Sequence, residues 1–327
     1  MDANRSGAPS GSKHSTGERF DARRLAQAIS AVERGVGEAD ALIATALARL
    51  ATCTTPTQRV IGVTGAPGVG KSSLIAALSD VARAAGRRVA ILAIDPSSAI
   101  SGGALLGDRV RIDERPDDPG RFMRSIATRG SGRALSHAAA AASLLVEAEG
   151  FDLIFIETVG AGQADLGIAR LADLVVLVEG PEGGDEVQAM KAGLLEAVQL
   201  IVVNKCDRPG ADRAAERLRT GLSLAADPPA VLLASATEPR GIAELLAAVE
   251  IAASERVAVA GATLSDANSG GRLRRVAAHL VAAAESRLAR RLEAAESNGR
   301  LDELVAAIVA GDRPLEGAVE ELLGLGR

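Results

Sequence analysis

The sequence predicts an α/β fold in which a mostly parallel sheet is flanked by helices. Three observations predict it. From Arg59 onward, short apolar, β-branched runs alternate with helical stretches. Each run is nearly all apolar, as a strand covered on both faces must be. Trp and Tyr are absent and Phe occurs four times, so Ala, Leu, Val and Ile must fill the core. Small aliphatic packing of this kind suits helices laid on a parallel sheet.

Taken in chain order, residues 1–18 (MDANRSGAPSGSKHSTGE) lack an apolar h-region and read as a disordered tail. Residues 19–54 read as an N-terminal helical extension. Its two helices span Arg19–Arg34 and Gly37–Leu50, with Leu25, Ile29 and Val32, then Ile43, Leu47 and Leu50, at helical spacing. The central domain is assigned to residues 55–258. Its strand candidates are RVIGVT, RVAILAID, LIFIET, LVVLVE, LIVVN and AVLLAS. Helices are expected at Lys71–Ala85, Arg133–Glu149, Asp185–Val198, Ala211–Leu224 and Ile242–Ala253, and such alternation implies right-handed crossovers. Residues 259–271 read as a linker, and residues 272–327 as a C-terminal helical region. That region is too small for a core of its own, so its apolar faces must dock on this domain or on a second copy.

Composition narrows the function classes. A formal net charge of −5 argues against broad binding to nucleic acid or to an anionic membrane. Cys53 and Cys206 form neither a metal-ligand spacing nor a disulfide framework, which fits a reducing, cytoplasmic setting. His14, His137 and His279 are scattered along the chain, which leaves a nickel-insertion reading without its ligands. No apolar run is long enough to span a membrane. Lysine occurs only at positions 13, 71, 191 and 205 although arginine is abundant, so each Lys hints at a need for a compact point charge.

The segment GAPGVGKS, Gly65–Ser72, fits G-x-x-x-x-G-K-S and lies between a predicted strand and a predicted helix, the setting of a P-loop. In the loop formed by Gly65, Ala66, Pro67, Gly68, Val69 and Gly70, the glycines would let backbone N–H groups turn toward phosphate oxygens, Pro67 having none to offer. Lys71 would bring an ammonium to them, the Ser72 hydroxyl would ligate Mg²⁺, and Ser73 would follow in the first helical turn. The whole chain is therefore expected to take the P-loop nucleotide hydrolase form of the α/β class. At the end of another apolar run, Glu157 is a candidate magnesium-side carboxylate. Gly160 is then placed to donate to the γ-phosphate.

The run LIVVNKCD ends in Asn-Lys-x-Asp. An Asp207 carboxylate accepts from both guanine N1–H and the exocyclic amine, donors that adenine does not offer in that pattern. Asn204 would brace the loop and approach N7, and the Lys205 stem would cover the base. Ser235 and Ala236, after a later strand, would supply a backbone N–H to guanine O6. GTP or GDP is thus the expected nucleotide.

The segments GVTGAPGVGKSSLI, AIDPSSAISGGALLGDRVRI, FIETVGAGQADLGIA, GGDEVQAMKAG and VVNKCD together resemble the MeaB/ArgK family of metallochaperone P-loop GTPases. The resemblance runs from about Arg19 to the C-terminus. It implies GTP hydrolysis beside a cobalamin-dependent acyl-CoA mutase, typically methylmalonyl-CoA mutase, with the GTPase gating adenosylcobalamin loading, protection and reactivation. It implies Asp95 and Asp108 as carboxylates near Mg²⁺ and the first switch, and Glu157 as an acidic switch residue. It implies Asp185, Glu186, Gln188 and Lys191 as a switch that reports nucleotide state to the mutase, and a homodimer through the C-terminal helices. A nucleotide-dependent kinase of the ArgK type, or a nickel-insertion GTPase, stands as the alternative. The stretch SIATRGSGRAL is read as a loop, looser than its counterpart in that family.

Overall fold

In this computed structural model the described residues are 20–35, 38–52, 58–96, 118–128, 137–158, 164–182, 196–223, 225–238, 240–261 and 269–324. The expected tail at 1–18 and the positions Asp108, Gly160, Asp185, Glu186, Gln188 and Lys191 lie outside them. Seven strands form one sheet: β1 (Arg59–Thr64), β2 (Val89–Pro96), β3 (Arg121–Thr128), β4 (Leu153–Thr158), β5 (Leu174–Glu179), β6 (Leu200–Val203) and β7 (Ala230–Leu233). Their spatial order is β3-β2-β4-β1-β5-β6-β7, and every pairing is parallel. The central strand β1 pairs with β4 on one side (Ile61 opposite Phe155) and with β5 on the other (Ile61 opposite Leu174).

Alternation along the strands divides the core into two layers. Val60, Leu92, Ile154, Ile156, Val175, Leu177 and Ile201 face one side. Ile61, Val63, Ile91, Phe155, Val176 and Val202 face the other. Helices α3 (Lys71–Ala84) and α7 (Ile242–Gly261) cover the second face. The first face carries α4 (His137–Ala148), α5 (Ala164–Leu171) and α6 (Ala211–Leu222). The N-terminal pair, α1 (Ala22–Arg34) and α2 (Ala39–Thr52), packs over α4 and makes a further layer. That position explains the run HAAAAASLLVEA. A helix enclosed by sheet and helices needs small side chains all round, and residues 138–147 are all buried.

Strand β3 was not among the expected strands; its last four residues lie in the stretch read as a loop. It pairs only with β2, at the sheet edge. Phe122 and Ile126 are buried while Arg121 and Arg124 are only partly so, giving the mixed polarity of a half-covered edge strand. Its arginines are anchored elsewhere, Arg124 to Glu33 of α1 at 2.9 Å and Arg121 to Asp80 of α3 at 2.5 Å. Three of the four Phe residues meet here. Phe20, Phe122 and Phe151 lie within 5.1–6.1 Å of one another, and Arg88 stacks over two of them.

The C-terminal helices are α8 (Ser269–Ser297), α9 (Arg300–Val309) and α10 (Leu315–Leu323). Helical structure runs further at both ends of the expected linker than the sequence indicated: α7 reaches Gly261 and α8 begins at Ser269. Gly261, Gly270 and Gly271 are poor helix formers, which is why the sequence marks a linker there although the helices include them. Helix α8 docks on α4, α5 and α7, so the C-terminal region packs on its own domain. The seam is an ion cluster. Arg275, only 3% exposed, forks onto Glu147 at 2.8 and 2.9 Å and reaches Asp173 at 2.7 Å. Asp173 also accepts from the Val60 N–H at 2.9 Å, tying α8 to the start of β1. Burial alone lowers the Arg275 pKa, but the Asp173 and Glu147 carboxylates outweigh it and raise the pKa above the ordinary guanidinium value. Higher along the same helix, His279 stacks on His137 with ring centroids 4.9 Å apart. Burial lowers the pKa of both rings and keeps them neutral near pH 7. Arg290 reinforces this at His137 and His137 reinforces it at His279, against the pull of Asp40.

Candidate functional site

A parallel sheet brings the carboxyl ends of its strands to one edge, and the crevice there is where α/β sheets bind ligands. The ends of β1, β4, β6 and β7 carry GAPGVGKS, Glu157, Asn204–Asp207 and Ser235-Ala236, so motifs far apart in sequence converge.

The phosphate loop, residues 65–70, links β1 to α3. Helix α3 starts at Lys71 with Gly70 as N-cap and no side-chain cap, leaving its N-terminal dipole open to an anion. Two glycines are required by close approach. A Cβ at Gly65, where φ is 141°, would sit 2.1 Å from the Val178 carbonyl oxygen of β5. A Cβ at Gly70, where φ is 94°, would sit 2.6 Å from Asn204 Nδ2. Ala66 and Val69 are half-buried and Pro67 and Gly68 are exposed along the mouth of the loop. The buried Lys71 ammonium donates to the carbonyls of Gly65 at 2.8 Å and Ala66 at 2.9 Å. It is thereby held over the loop.

Ser72 Oγ donates to Glu157 Oε1 at 2.6 Å. Glu157 is 7% exposed, and a carboxylate so buried needs hydrogen-bond donors such as this hydroxyl. Beneath it Thr158 and Thr64 share a buried hydroxyl contact at 3.2 Å. A hydroxyl and a carboxylate oxygen together at the mouth of a phosphate loop are the hard-oxygen donors that suit Mg²⁺, so the donor set fits that ion. Asp95 lies in the last turn of β2, one residue beyond the Ile94–Thr158 register pair, which puts its backbone at the same sheet edge. Ser73 is half-buried in the first turn of α3.

The base loop is wired to the phosphate loop. Asn204 Nδ2 donates to the carbonyls of Val69 at 3.0 Å and Gly70 at 3.3 Å, while its buried Oδ1 has no hydrogen-bond partner among the described residues. Lys205 adopts φ 60° and donates from Nζ to the Gly68 carbonyl at 2.7 Å. The loops after β6 and β7 are joined by the Cys206 N–H to the Ala234 carbonyl at 3.0 Å. Asp207 is exposed to solvent and accepts from the buried Ser235 hydroxyl at 2.5 Å. That bond holds the Asp207 carboxyl below the usual carboxylate range.

Sequence reasoning assigned Ser235 through its backbone. Its N–H is instead taken by the Arg240 carbonyl at 3.0 Å, and the hydroxyl acts, accepting from the Glu238 N–H at 3.1 Å while donating to Asp207. Nothing in the one-dimensional pattern placed residue 235 against residue 207, because the contact joins two parallel strands across the β6–β7 crossover. Among the residues that the sequence singled out, 65–73, Glu157, Asn204, Lys205, Asp207, Ser235 and Ala236 are brought to one edge.

Comparison with known proteins agrees with this geometry. A family model described as methylmalonyl Co-A mutase-associated GTPase MeaB matches residues 25–297. GTPase ArgK of Escherichia coli is 36% identical over 197 residues, covering 58% of this chain and 60% of that protein. A Pyrococcus abyssi protein with a provisional GTPase name is 46% identical over 193 residues, 57% of this chain and 60% of its own length. These matches span about 60% of those relatives' lengths. The solved structure of an LAO/AO transport system kinase aligns over 94% of this chain with a TM-score of 0.56 and 23% identity, a likeness of fold. With its phosphate loop, base loop and family match in agreement, the chain belongs to the MeaB family of methylmalonyl-CoA mutase-associated GTPases.

Proposed function

We propose that this chain binds and hydrolyses GTP and serves a cobalamin-dependent acyl-CoA mutase, gating adenosylcobalamin loading, protection and reactivation. The observation that carries the nucleotide part is the wiring of Asn204 and Lys205 into the phosphate loop. It makes the base reader and the phosphate cradle one rigid unit. Asp207 reads guanine N1–H and the exocyclic amine. Ala236 takes the N–H role toward O6, since the Ser235 N–H is engaged.

Ser72 and Glu157 would hold Mg²⁺, and Asp95 and Asp108 are further candidate carboxylates for it. The ion, when bound, offsets phosphate charge. Lys71 and the loop amides stabilise the charge that develops on the γ-phosphoryl oxygens as water attacks in line. Gly160 donates to the γ-phosphate. No Gln directly follows it, and Gln163 lies three residues on, so turnover is slow until a partner orders the switch. Asp185, Glu186, Gln188 and Lys191 carry nucleotide state to that partner. The setting is cytoplasmic, and no helix among the described residues is long and apolar enough to cross a membrane. The family name supports the mutase as partner.

Two experiments test this. Asp207→Asn is expected to weaken GDP binding at least about ten-fold and to admit xanthine nucleotides; an unaltered base preference removes Asp207 from the reading. A pull-down with the wild-type chain and with Lys71→Ala, with and without a non-hydrolysable GTP analogue, is expected to recover a cobalamin enzyme in a nucleotide-dependent way. Recovery of none in any state defeats the chaperone role.

A further inference from the structure

Only three histidines occur in the chain, and two of them meet far from one another in sequence. His137 opens α4 and His279 lies on α8, with ring centroids 4.9 Å apart and planes inclined by 31°. His279 Nδ1 is buried and has no hydrogen-bond partner among the described residues. A buried ring nitrogen left this way is unfavourable and calls for a water or an ion. Asp40 on α2 and Arg290 further along α8 are the charged groups that act on the pair.

We propose that His137 and His279 form a binding site for a borderline divalent transition ion, Zn²⁺ or Ni²⁺, that fastens α8 to α4. Neutral imidazole is the ligand form such ions take, and imidazole suits Zn²⁺ and Ni²⁺ better than Mg²⁺. Two imidazoles on one tetrahedral ion, with metal–nitrogen bonds of about 2.0–2.1 Å, have their ring centroids roughly 5 Å apart. The observed separation therefore needs rotation of the rings, not movement of the helices. Among the described residues no third His, Cys, Asp or Glu completes a closed cage. The remaining positions go to water, which makes this an exchangeable site of modest affinity with Asp40 supplying nearby negative charge. The site is separate from the hard-oxygen pair Ser72 and Glu157, and it ties the C-terminal helices to the nucleotide domain. Its occupancy adjusts how firmly α8 is held.

The test uses the full chain without an affinity tag, saturated with Mg²⁺ and GDP so that the nucleotide site is already filled. Calorimetric titration with Zn²⁺ is expected to show one ion per chain and a rise in melting temperature. His137→Gln and His279→Gln are each expected to weaken binding at least about ten-fold and to abolish the rise, while His14→Gln leaves both unchanged. Should a Gln variant fail to fold, the wild-type chain gives a second reading. Substoichiometric Ni²⁺ is expected to broaden the imidazole NMR resonances of His137 and His279 and spare those of His14. No binding up to about 100 μM Zn²⁺, equal binding in the double variant, or broadening of all three histidines alike would overturn the proposal.

Discussion

At the scale of single residues, the site depends on contacts that no local pattern announces. Ser235 lies 28 positions from Asp207, yet its hydroxyl orients the carboxylate proposed to read guanine. Ser235→Ala is expected to weaken GDP binding several-fold, about 3- to 10-fold by calorimetry, by removing a hydrogen bond to a charged group. The pH dependence has a definite sign. The bond lowers the Asp207 pKa, so the carboxylate stays ionised further into acid. Without it, loss of GDP binding on acidification is expected at a higher pH than in the wild type. Gly70 makes a complementary case. The P-loop pattern demands a glycine there for phosphate geometry, but the structure adds a tertiary reason, because a Cβ would collide with the Asn204 amide. Gly70→Ala is expected to abolish GDP binding at millimolar concentration while the fold survives, as circular dichroism and calorimetry together will show.

At the scale of elements, the edge strand β3 and the docked helix α8 are both held by arginine forks. Arg83 on α3 grips Asp118 at 2.6 and 2.8 Å just before β3, and Asp118 also accepts from the Gly120 N–H at 2.9 Å. The Arg83 hydrogen bond holds the Asp118 pKa at about 2. A carboxylate depressed on folding stabilises above its unfolded pKa and loses that contribution as pH falls through the folded value. Arg83→Gln is therefore expected to cost about 1 kcal/mol at neutral pH, after allowance for partial exposure, and the difference should vanish as pH falls to about 2. The measurement is urea unfolding across that range. Arg275 is buried, and its loss leaves Glu147 and Asp173 without their cation. Arg275→Ala is expected to lower stability by about 3–5 kcal/mol in urea. The cluster sits at the amino ends of β1 and β5, opposite the phosphate loop, so GDP affinity in the remaining folded protein should be unchanged. Neither fork was legible beforehand. The β3 sequence carries four polar or charged positions in eight, which masks an edge strand as a loop. Arg275 in a helix full of arginines looks like any solvated charge until a partner helix encloses it.

At the scale of the whole molecule, the C-terminal helices have two faces. One docks on the nucleotide domain through Ala278, Ala282 and Arg275. The other exposes Leu280 at 69%, Val309 at 82% and Leu315 at 67%. Several large aliphatic side chains left open along three consecutive helices are the kind of surface that a second copy covers. We propose that the chain dimerises through it. Leu280→Glu with Val309→Glu is expected to turn a dimer into a monomer by light scattering, with nucleotide binding kept; a wild-type monomer at about 50 μM would remove the idea. Both docking alternatives raised by the sequence therefore have a face to act on, one already used within the chain and one open.

The sequence by itself determined the parallel α/β architecture, six of its seven strands, and the two loop motifs, GAPGVGKS and Asn-Lys-x-Asp. These are legible because they are local: strand period, glycine-lysine spacing and a four-residue base signature lie within single segments. Only the tertiary structure decided that β3 closes one edge, that Ser235 serves Asp207 with its hydroxyl, that Asn204 dictates a glycine at position 70, and that two scattered histidines share one seam. Each of these is a contact between segments remote in the chain. Such contacts follow from how parallel crossovers stack helices on a sheet, which residue spacing does not encode.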